Sequence, residues 1–547
     1  MSDFSEVAAA FAPEGLLSRA IAGYRSRPQQ LEMALQIASA IRDNQQLVVE
    51  AGTGTGKTFA YLVPALLSGG KVIVSTGTKT LQDQLFERDL PAVREALGRP
   101  VIIALLKGRA NYVCHYHLER AVADGRFQSP QEAAHLRAIQ RFSKASKTGD
   151  KARLAAVPED SPAWAAATST RENCLGQDCP HHAACFVLAA RRDALEADVV
   201  VVNHHLFFAD VMLRDEGAGE LLPACNAVIF DEAHQLPEVA SLFFGESLGT
   251  GQLLDLTRDA RLEAVAGAPD YPPLQEAIRA VDKATRDLRL SVSAENARLA
   301  AAPLLLEKGF QAALVVLAET LCALGEHLKG QAERSEGLAS CLDRALDLSL
   351  RLERWRKAEE STQIRWVEVY TQSLALNLTP LDVADIFRRQ LEGQVRAWIF
   401  TSATLAIGRD FSHYCGEMGL TPSGTGYWGS PFDYGRNALL YAPVGMPDPN
   451  SQQYVDAVVE AAVPVLLASG GRAFVLCTSL RAMRRIHELL QERLAREGAG
   501  FPLLLQGEMA KGELLARFRS LGNAVLVASQ SFWEGVDIQG EALRLVV

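Results

Sequence analysis

An apolar run, a glycine-rich loop and an apolar helix follow one another between Leu47 and Leu67, in the sequence LVVEAGTGTGKTFAYLVPALL. The run up to Val49 predicts a buried strand, and the residues from Lys57 onward predict a helix. Glycines let successive backbone N–H groups approach one anion, and the helix N-terminus adds a partial positive charge. The pattern is that of a phosphate-binding loop, with Ala51 in place of its usual first glycine. We therefore predict that the chain binds a nucleoside triphosphate.

The same loop predicts the residues that hold the nucleotide and its metal ion. We expect the Lys57 ammonium to reach the β- and γ-phosphates and the Thr58 hydroxyl to coordinate Mg²⁺. The alternative is a turn rich in glycine and threonine without a ligand, which the complete order of strand, loop, lysine and helix disfavours. The predicted nucleotide-binding residues of the loop are Ala51, Gly52, Thr53, Gly54, Thr55, Gly56, Lys57 and Thr58.

Length and charge set wider limits on the protein. A chain of 547 residues exceeds one hydrophobic core, so several domains are expected. The 55 Lys and Arg against 65 Asp and Glu argue weakly against nucleic acid, although one basic groove on an acidic body would still bind it. No apolar run approaches the length of a membrane span, and the N-terminus lacks the features of a signal peptide. We therefore predict a cytoplasmic protein that does not act on membranes.

A pair of carboxylates follows the apolar run from Ala227 to Phe230, within the tetrapeptide DEAH. In a Walker B pair, one carboxylate holds the Mg²⁺ shell and the next orients or deprotonates the attacking water. We assign these roles to Asp231 and Glu232, respectively. The alternative is two solvated acids at a strand end, and the phosphate loop upstream makes it the weaker interpretation.

Four cysteines, Cys114, Cys174, Cys179 and Cys185, are spaced C-x59-C-x4-C-x5-C in a polar segment. Four thiolates suit either a [4Fe–4S] cluster or a structural Zn²⁺. The close C-x2-C pairs that zinc sites favour are absent, and neighbouring histidines could compete as ligands. The residues alone leave iron–sulfur and zinc about equally favoured, with buried thiols that bind no metal as a third interpretation.

The remaining pattern predicts two α/β units separated by a mostly helical segment at residues 246–392, which contains a short strand from Ile364 to Tyr370. A helix is predicted over residues 20–42 and another near 480–496. The predicted strands beyond the first are 71–74, 199–202, 227–230, 397–400, 473–476, 503–505, 524–528 and 543–547. The chain stops at Val547 inside an apolar run that predicts a core strand, so we expect the sequence to be incomplete there.

In their order along the chain, these motifs resemble those of the iron–sulfur DNA helicases of superfamily 2, of the DinG/YoaA type. These helicases are related to the xeroderma pigmentosum group D helicase. The stretches STGTKTLQDQL, LLKGRANYVC, VVNHHLF, TSATL, GSPFDY and SFWEGVD carry the resemblance together with the phosphate loop and DEAH, and it covers nearly the whole chain. It implies an α/β fold with two RecA-like motor domains built on parallel sheets. A four-cysteine iron–sulfur insert and a mostly helical arch insert interrupt the first domain, and the second is truncated before the arginine of motif VI.

The resemblance also implies the domain boundaries. They are 1–106, 199–245 and 393–440 for motor domain 1, 107–198 for the iron–sulfur cluster domain, 246–392 for the arch domain and 441–547 for the incomplete motor domain 2.

Roles for further residues follow from the resemblance alone. It makes Gln30, which by itself would be read as a surface glutamine, the residue that recognises adenine. It adds His234 to Lys57, Asp231 and Glu232 as a catalytic residue, and it favours a [4Fe–4S] cluster on the four cysteines. The residues implied for motif III, which couples hydrolysis to movement, are Ser402, Ala403 and Thr404, and those for motif V are Gly535 and Asp537.

The function implied is ATP hydrolysis coupled to 5′→3′ movement on single-stranded DNA and to duplex unwinding, in DNA repair or replication. ATP, Mg²⁺ and a [4Fe–4S] cluster are the expected cofactors. Single-stranded and forked duplex DNA are the expected partners, with an accessory subunit of the replicative polymerase as a further one. The alternative, from a different class, is a nucleic-acid-binding module that recruits partners and uses its ATP site for regulation. Loss of strand displacement on Lys57→Ala would separate the two.

Overall fold

The structure is a computed structural model. It describes residues 2–547 except 126, 128, 160, 171–172, 216–220, 359–362, 381–382, 393, 450, 452, 510, 530–531, 534–535, 537 and 539. Gly535 and Asp537 of the implied motif V therefore lie outside the described residues. The chain divides into two compact units. The first unit is Met1–Gly77, Leu85–Tyr116 and Ser169–Ser430, and the second is Thr78–Gln84, His117–Thr168 and Pro431–Val547.

The strands of the described residues belong to three sheets. In chain order they are β1 Gln46–Ala51, β2 Val72–Thr76, β3 Ile103–Leu105, β4 Val199–Asn203, β5 Ala227–Asp231, β6 Glu246–Gly249, β7 Ala297–Ala300, β8 Gln363–Val369, β9 Leu374–Pro380, β10 Ala397–Ser402, β11 Gly424–Trp428, β12 Ala473–Leu476, β13 Leu503–Leu505, β14 Val525–Ala528 and β15 Leu545–Val546.

The α-helices connect and cover these sheets. In chain order they are α1 Ser2–Phe11, α2 Leu16–Ala20, α3 Pro28–Arg42, α4 Lys57–Leu67, α5 Lys79–Gln84, α6 Leu90–Leu97, α7 His115–Asp124, α8 Pro130–Ala145, α9 Ala163–Ala167, α10 Phe186–Glu196, α11 His204–Asp215, α12 Leu236–Phe244, α13 Thr250–Gly267, α14 Pro272–Leu290, α15 Ala301–Leu304, α16 Lys308–Lys329, α17 Glu336–Lys357, α18 Val383–Leu391, α19 Ser412–Met418, α20 Tyr434–Asn437, α21 Tyr454–Ser469, α22 Leu480–Arg496 and α23 Lys511–Leu521.

A seven-stranded parallel sheet forms the centre of the first unit, in the order β11-β1-β10-β5-β2-β4-β3. Its strands are rich in Val and Ile because helices cover both faces, as is usual for parallel sheets. Helices α3, α4 and α6 pack on one face, and α11, α12 and α19 pack on the other. The carboxyl ends of β1, β10, β5 and β2 therefore lie side by side at one edge of the sheet, where such sheets bind ligands.

Residues 246–380 of the first unit form a separate hydrophobic core. Helices α13, α14, α16 and α17 pack together and against an antiparallel sheet in the order β6-β9-β8-β7. The sequence predicted the helices and, as residues 364–370, the strand β8. It did not predict β6, β7 or β9, which are short and lie among much longer helical patterns.

Helix α16 is long and apolar enough to cross a membrane by length and composition alone. Its leucines and Phe310 follow one face, and that face is buried in the core of residues 246–380, while Val315 and Val316 are exposed. The buried stripe is Phe310, Leu314, Leu317, Leu321, Leu324 and Leu328. A stripe of this kind is typical of a core helix, and it agrees with the helical spacing seen in the sequence.

The second unit contains a four-stranded parallel sheet in the order β13-β14-β12-β15. Helices α21 and α22 cover one face, and α23 covers the other. The predicted strands 473–476 and 503–505 have the observed bounds, and the helix predicted near 480–496 is α22. The sequence therefore identified the α/β character of this unit correctly.

The helix predicted over residues 20–42 is wrong in its first part. Helix α3 begins at Pro28, and Arg27 before it has an extended backbone. Proline favours the first position of a helix, because it has no N–H to contribute there, and it disfavours helical geometry in the residue before it. Pro28 therefore marks the start of the helix.

The packing of α17 against β9 generates a stability prediction. Trp355 is 2% exposed, and its Nε1 donates to the Asn377 carbonyl oxygen at 3.0 Å. We expect Trp355→Ala to lower the free energy of unfolding by about 3–5 kcal/mol, because it leaves a cavity and removes the hydrogen bond to the Asn377 carbonyl oxygen. Urea denaturation followed by far-UV circular dichroism measures the change. Leu350→Ala is the control on the same helix, since Leu350 is 61% exposed. Equal effects of the two substitutions would contradict the prediction.

Candidate functional site

The phosphate loop runs from the end of β1 at Ala51 to the start of α4 at Lys57. Gly54 and Gly56 both have φ of +85°, a left-handed conformation that glycine adopts without strain. A Cβ on Gly52 would lie 2.5 Å from the Ser430 backbone nitrogen, so this glycine is required by a close approach. The strand, the loop and the helix thus follow one another as the sequence pattern predicted.

Gln30 is fully buried beneath this loop rather than exposed on the surface. Its Nε2 donates to the Gly56 carbonyl oxygen at 2.8 Å, and its Oε1 accepts from the Tyr24 hydroxyl at 2.7 Å. A glutamine amide has two donor hydrogens and two acceptor lone pairs, so each end keeps one further position. Gln30 therefore connects α3 to the phosphate loop.

Lys57 lies between the phosphate loop and the carboxylates of β5. Its Nζ donates to the Ala51 carbonyl oxygen at 3.3 Å. Its positive charge opposes the effect of burial on the pKa of both carboxyl groups, which burial outweighs at Asp231 but not at Glu232. The lysine is thus close enough to the two acids to interact with them electrostatically. Lys57 and Asp231 are 174 residues apart in the sequence and belong to different elements of the fold.

Asp231 is buried at the end of β5 and is held by the phosphate-loop helix. The Tyr61 hydroxyl donates to its Oδ2 at 3.1 Å, and the same hydroxyl interacts with the Thr58 side chain. Burial, and then the negative charge of Glu232, raise the pKa of Asp231 to about 7. Tyr61 thus brings together Thr58 and Asp231, the two residues that the sequence assigned to Mg²⁺.

Two threonine hydroxyls flank Asp231 on the same face of the sheet. Thr401 of β10 is the register partner of Asp231, and Thr76 ends β2 on the other side. Both are fully buried, and within the described residues neither Oγ1 has a hydrogen-bond partner. Buried polar atoms normally find a partner, and here a hydrated cation would supply it. Together with a carboxylate and the Thr58 hydroxyl, this oxygen-rich set fits Mg²⁺, which keeps several waters when bound.

Glu232 is directed away from Asp231 by a left-handed backbone conformation with φ of +54°. Such a conformation is strained for a residue other than glycine, and strain of this kind is concentrated at functional sites. The Ser402 hydroxyl donates to Glu232 Oε2 at 3.3 Å and lies 2.8 Å from Nδ1 of His234. Burial raises the pKa of Glu232, but the His234 hydrogen bond and the Lys57 charge outweigh it and leave the pKa below its usual value. Glu232, His234 and Ser402 therefore form one hydrogen-bonded group.

The four cysteines all belong to the first unit and lie in one neighbourhood. Burial raises the pKa of the Cys179 thiol, and the nearby Cys174 and Cys185 raise it further. The His115 ring, next to Cys114, lies 4.8 Å from the ring of Phe186, which follows Cys185. In the described part of the chain, no three His, Cys, Asp or Glu residues are grouped closely enough to hold one metal ion. In a [4Fe–4S] cluster each thiolate binds a different iron, so such a donor set needs neighbouring rather than touching thiols.

The sequence did not identify several residues that build the site. Tyr61 follows Lys57 by four positions, so the helix pattern places it on the same face of α4. That spacing was the signal that could have found it. Tyr24 stands six residues before Gln30 in the stretch YRSRPQQ, and no spacing rule connects the two. Glu50 lies inside an apolar strand, where no motif distinguishes it from its neighbours.

Two family models match this chain. The DEAD/DEAH box helicase model matches residues 28–111, which include the phosphate loop. The helicase C-terminal domain model matches residues 463–547, which include the parallel sheet of the second unit. The two matches support the assignment of the two parallel sheets to two RecA-like helicase domains.

Curated relatives match over nearly the whole chain. The ATP-dependent DNA helicase YoaA of Haemophilus influenzae is 43% identical over 99% of this chain and 84% of its own length. The ATP-dependent helicase DinG of Mycobacterium tuberculosis is 31% identical over 96% of this chain and 82% of its own length. Among solved structures, the Mycobacterium smegmatis helicase Lhr bound to ssDNA and AMP-PNP aligns with a TM-score of 0.38 at 15% identity, covering 97% of this chain and 44% of its own. That structural similarity is too low to carry an argument. On the sequence identities, the chain belongs to the DinG/YoaA family of ATP-dependent DNA helicases.

Proposed function

We propose that this helicase hydrolyses ATP at the group formed by Lys57, Thr58, Asp231, Glu232 and His234, and that it moves 5′→3′ on single-stranded DNA. The observation that carries the proposal is the contact of the Tyr61 hydroxyl with both Thr58 and Asp231. It supports a single magnesium and phosphate site at the carboxyl edge of the central sheet. The physiological role we propose is DNA repair or replication in the cytoplasm.

Each residue of the site has a role that its surroundings support. Thr58 and Asp231 would hold Mg²⁺, which neutralises charge on the phosphate oxygens. The backbone N–H groups of residues 52–58 would bind the phosphates, and Lys57 would contribute its positive charge there. Gln30 would recognise the adenine edge through the donor and acceptor positions that remain on its amide.

Glu232 is the residue we assign to the attacking water. Its pKa lies below the usual value, so it is ionised at neutral pH and can accept a proton. Ser402 and His234 fix its orientation through their hydrogen bonds. Because Ser402 lies at the end of β10, this contact also supports the coupling role implied for Ser402, Ala403 and Thr404.

We propose that Cys114, Cys174, Cys179 and Cys185 hold a [4Fe–4S] cluster, which would stabilise residues 107–198 as a folded cluster domain. The proximity of Cys174, Cys179 and Cys185 supports a shared metal site, and the lack of close C-x2-C pairs together with the family resemblance favours a cluster over a single zinc ion. Residues 246–392 would be the arch domain, 1–106, 199–245 and 393–440 motor domain 1, and 441–547 part of motor domain 2. Forked duplex DNA and a polymerase accessory subunit are the partners we propose beyond single-stranded DNA.

We expect Lys57→Ala to abolish DNA-stimulated ATP hydrolysis and strand displacement while the protein stays folded. The ammonium faces the phosphates and is not part of the hydrophobic core, so its loss removes charge stabilisation without a cavity. Steady-state ATPase assays and circular dichroism measure the two properties. Lys71→Ala is the matched control, because Lys71 precedes β2 at the opposite edge of the same sheet. Hydrolysis by Lys57→Ala at the rate of the control would refute the assignment.

We expect each of the changes Cys114→Ser, Cys174→Ser, Cys179→Ser and Cys185→Ser to remove the visible absorption of an iron–sulfur cluster from anaerobically purified protein. Unwinding should fall more than DNA-independent ATP hydrolysis, because the ATP site is built from other residues. Iron and sulfide analysis with the absorption spectrum provides the measurement. Cys225→Ser is the control, since the Cys225 thiol instead contacts the Arg396 guanidinium at 3.1 Å. The proposal is wrong if Cys225→Ser loses the chromophore and Cys179→Ser keeps it.

The proposed direction predicts which DNA tails support unwinding. We expect the protein to displace a labelled strand from a duplex with a 5′ single-stranded tail, because a 5′→3′ translocase loaded on that tail moves toward the duplex. A 3′ tail of equal length and sequence should support little displacement, and a blunt duplex is the control for loading. A preference for the 3′ tail would refute the direction but not the helicase activity.

A further inference from the structure

Glu50 is a buried carboxylate in the strand that leads into the phosphate loop. It is 9% exposed and lies one residue before Ala51, at the end of β1. Its register partner on β10 is Ser402. Alternation along β1 places its side chain with Val48, on the face of the sheet away from the phosphate-loop helix. Glu50 therefore does not contribute to the phosphate-binding face itself.

The Glu50 carboxylate holds the loop that follows β10. Its Oε2 accepts hydrogen bonds from the backbone N–H groups of Leu405 and Ala406, at 2.5 and 2.6 Å. In the described part of the chain, no cation pairs with Glu50. The hydrogen bonds from these two amides therefore offset the loss of hydration of the buried carboxylate. Hydrogen bonds to an ionised acceptor are shorter and stronger than neutral ones, which makes this a firm attachment.

The same loop is attached at its other end to the catalytic acids. Ser402 begins it and bonds both Glu232 and His234, and the Thr404 N–H lies 3.4 Å from the Ser402 hydroxyl. The loop is thus fixed at Ser402 to Glu232 and His234, and at Leu405 to the strand that leads into the phosphate loop. The two attachments lie at the same level of the sheet, because Glu50 of β1 and Ser402 of β10 are register partners.

Resting on the proposed function, we infer that Glu50 is a positioning residue that sets Ser402, and through it Glu232, relative to the phosphate loop. A buried charge without a partner cation is costly, and an apolar residue would pack in this strand more easily. A carboxylate is needed at this position because an apolar side chain could not accept hydrogen bonds from the Leu405 and Ala406 N–H groups. Removing it should let the loop relax and should displace Glu232 from its position for attack on the phosphate.

The test compares Glu50→Ala with Glu50→Gln and with Asp210→Ala. Glutamine keeps an acceptor oxygen without the charge, so it can still bond both amides. Asp210 is the control, since it is 4% exposed and its Oδ1 accepts from the Leu221 and Leu222 N–H groups at 2.6 and 2.9 Å, although unlike Glu50 it also pairs with Arg214 at 2.8 Å. Asp210→Ala likewise removes a buried carboxylate that bonds two backbone N–H groups, but this carboxylate does not contact the loop that begins at Ser402. If Glu50→Ala does not fold, Glu50→Leu, which fills the same volume, takes its place.

Three quantities are measured on the full chain: DNA-stimulated kcat, the Kd for a fluorescent ATP analogue, and the thermal midpoint. We expect Glu50→Ala to lower kcat at least about tenfold, since misplacing a catalytic group by about 1 Å can cost on the order of 10²-fold. Its Kd should stay within about twofold of the wild type, because ground-state binding depends on the phosphate loop. Glu50→Gln should recover most of kcat. Asp210→Ala should lower the thermal midpoint and keep kcat.

The inference is overturned if folded Glu50→Ala or Glu50→Leu keeps the wild-type kcat. It is also overturned if Glu50→Gln is as slow as Glu50→Ala, or if Asp210→Ala loses kcat to the same extent. Lys57→Ala in the same assay separates this inference from the proposed function. An inactive Lys57→Ala beside a fully active Glu50→Ala refutes the role of Glu50 alone, whereas an active Lys57→Ala refutes the proposed site.

Discussion

Three carboxylates lie at the carboxyl edge of the central sheet, with Glu50 and Asp231 buried and Glu232 partly buried, and their complete or partial removal from water is the constraint on which the site depends. A buried carboxylate must be hydrogen-bonded or neutralised, or it destabilises the fold. Asp231 receives the Tyr61 hydroxyl, Glu232 receives Ser402, and Glu50 receives two backbone amides. The donors come from α4, β10 and the loop after β10, so satisfying the charges also fixes these elements against one another.

This arrangement places the groups suited to binding a cation and the groups that orient a base on opposite faces of the sheet. Asp231 shares the face of α4 with the buried hydroxyls of Thr76 and Thr401. Glu232, turned aside by its left-handed backbone, joins Ser402 and His234. The first group has the oxygen-rich character that a hydrated cation needs, and the second has the character of an oriented base.

The elements that depend on local residue patterns were predicted from the sequence, whereas contacts between residues far apart in the chain were not. Helix α4 has the predicted bounds, because the glycines and Lys57 define its start, and strands rich in Val and Ile were recognised as buried. Strand β11, GTGYW, contains two glycines and forms only because β1 is available as a neighbour. The motifs predicted roles for Lys57 and Asp231 in binding phosphate and Mg²⁺. The hydrogen bond of Tyr61 to Asp231 spans 170 residues and that of Glu50 to Leu405 spans 355, and no local pattern encodes either.

The position of β1 between β10 and β11 determines when the nucleotide site can exist during synthesis on the ribosome. Both neighbours of β1 emerge long after it, since Leu405 follows Glu50 by 355 residues. At ordinary translation rates the delay is roughly 20–70 s. Strands β5, β2, β4 and β3 can pair within that time, and so can the helices of residues 246–380, while β1 still lacks a neighbouring strand. The phosphate loop, near the start of the chain, is therefore among the last parts of the nascent first unit to be completed.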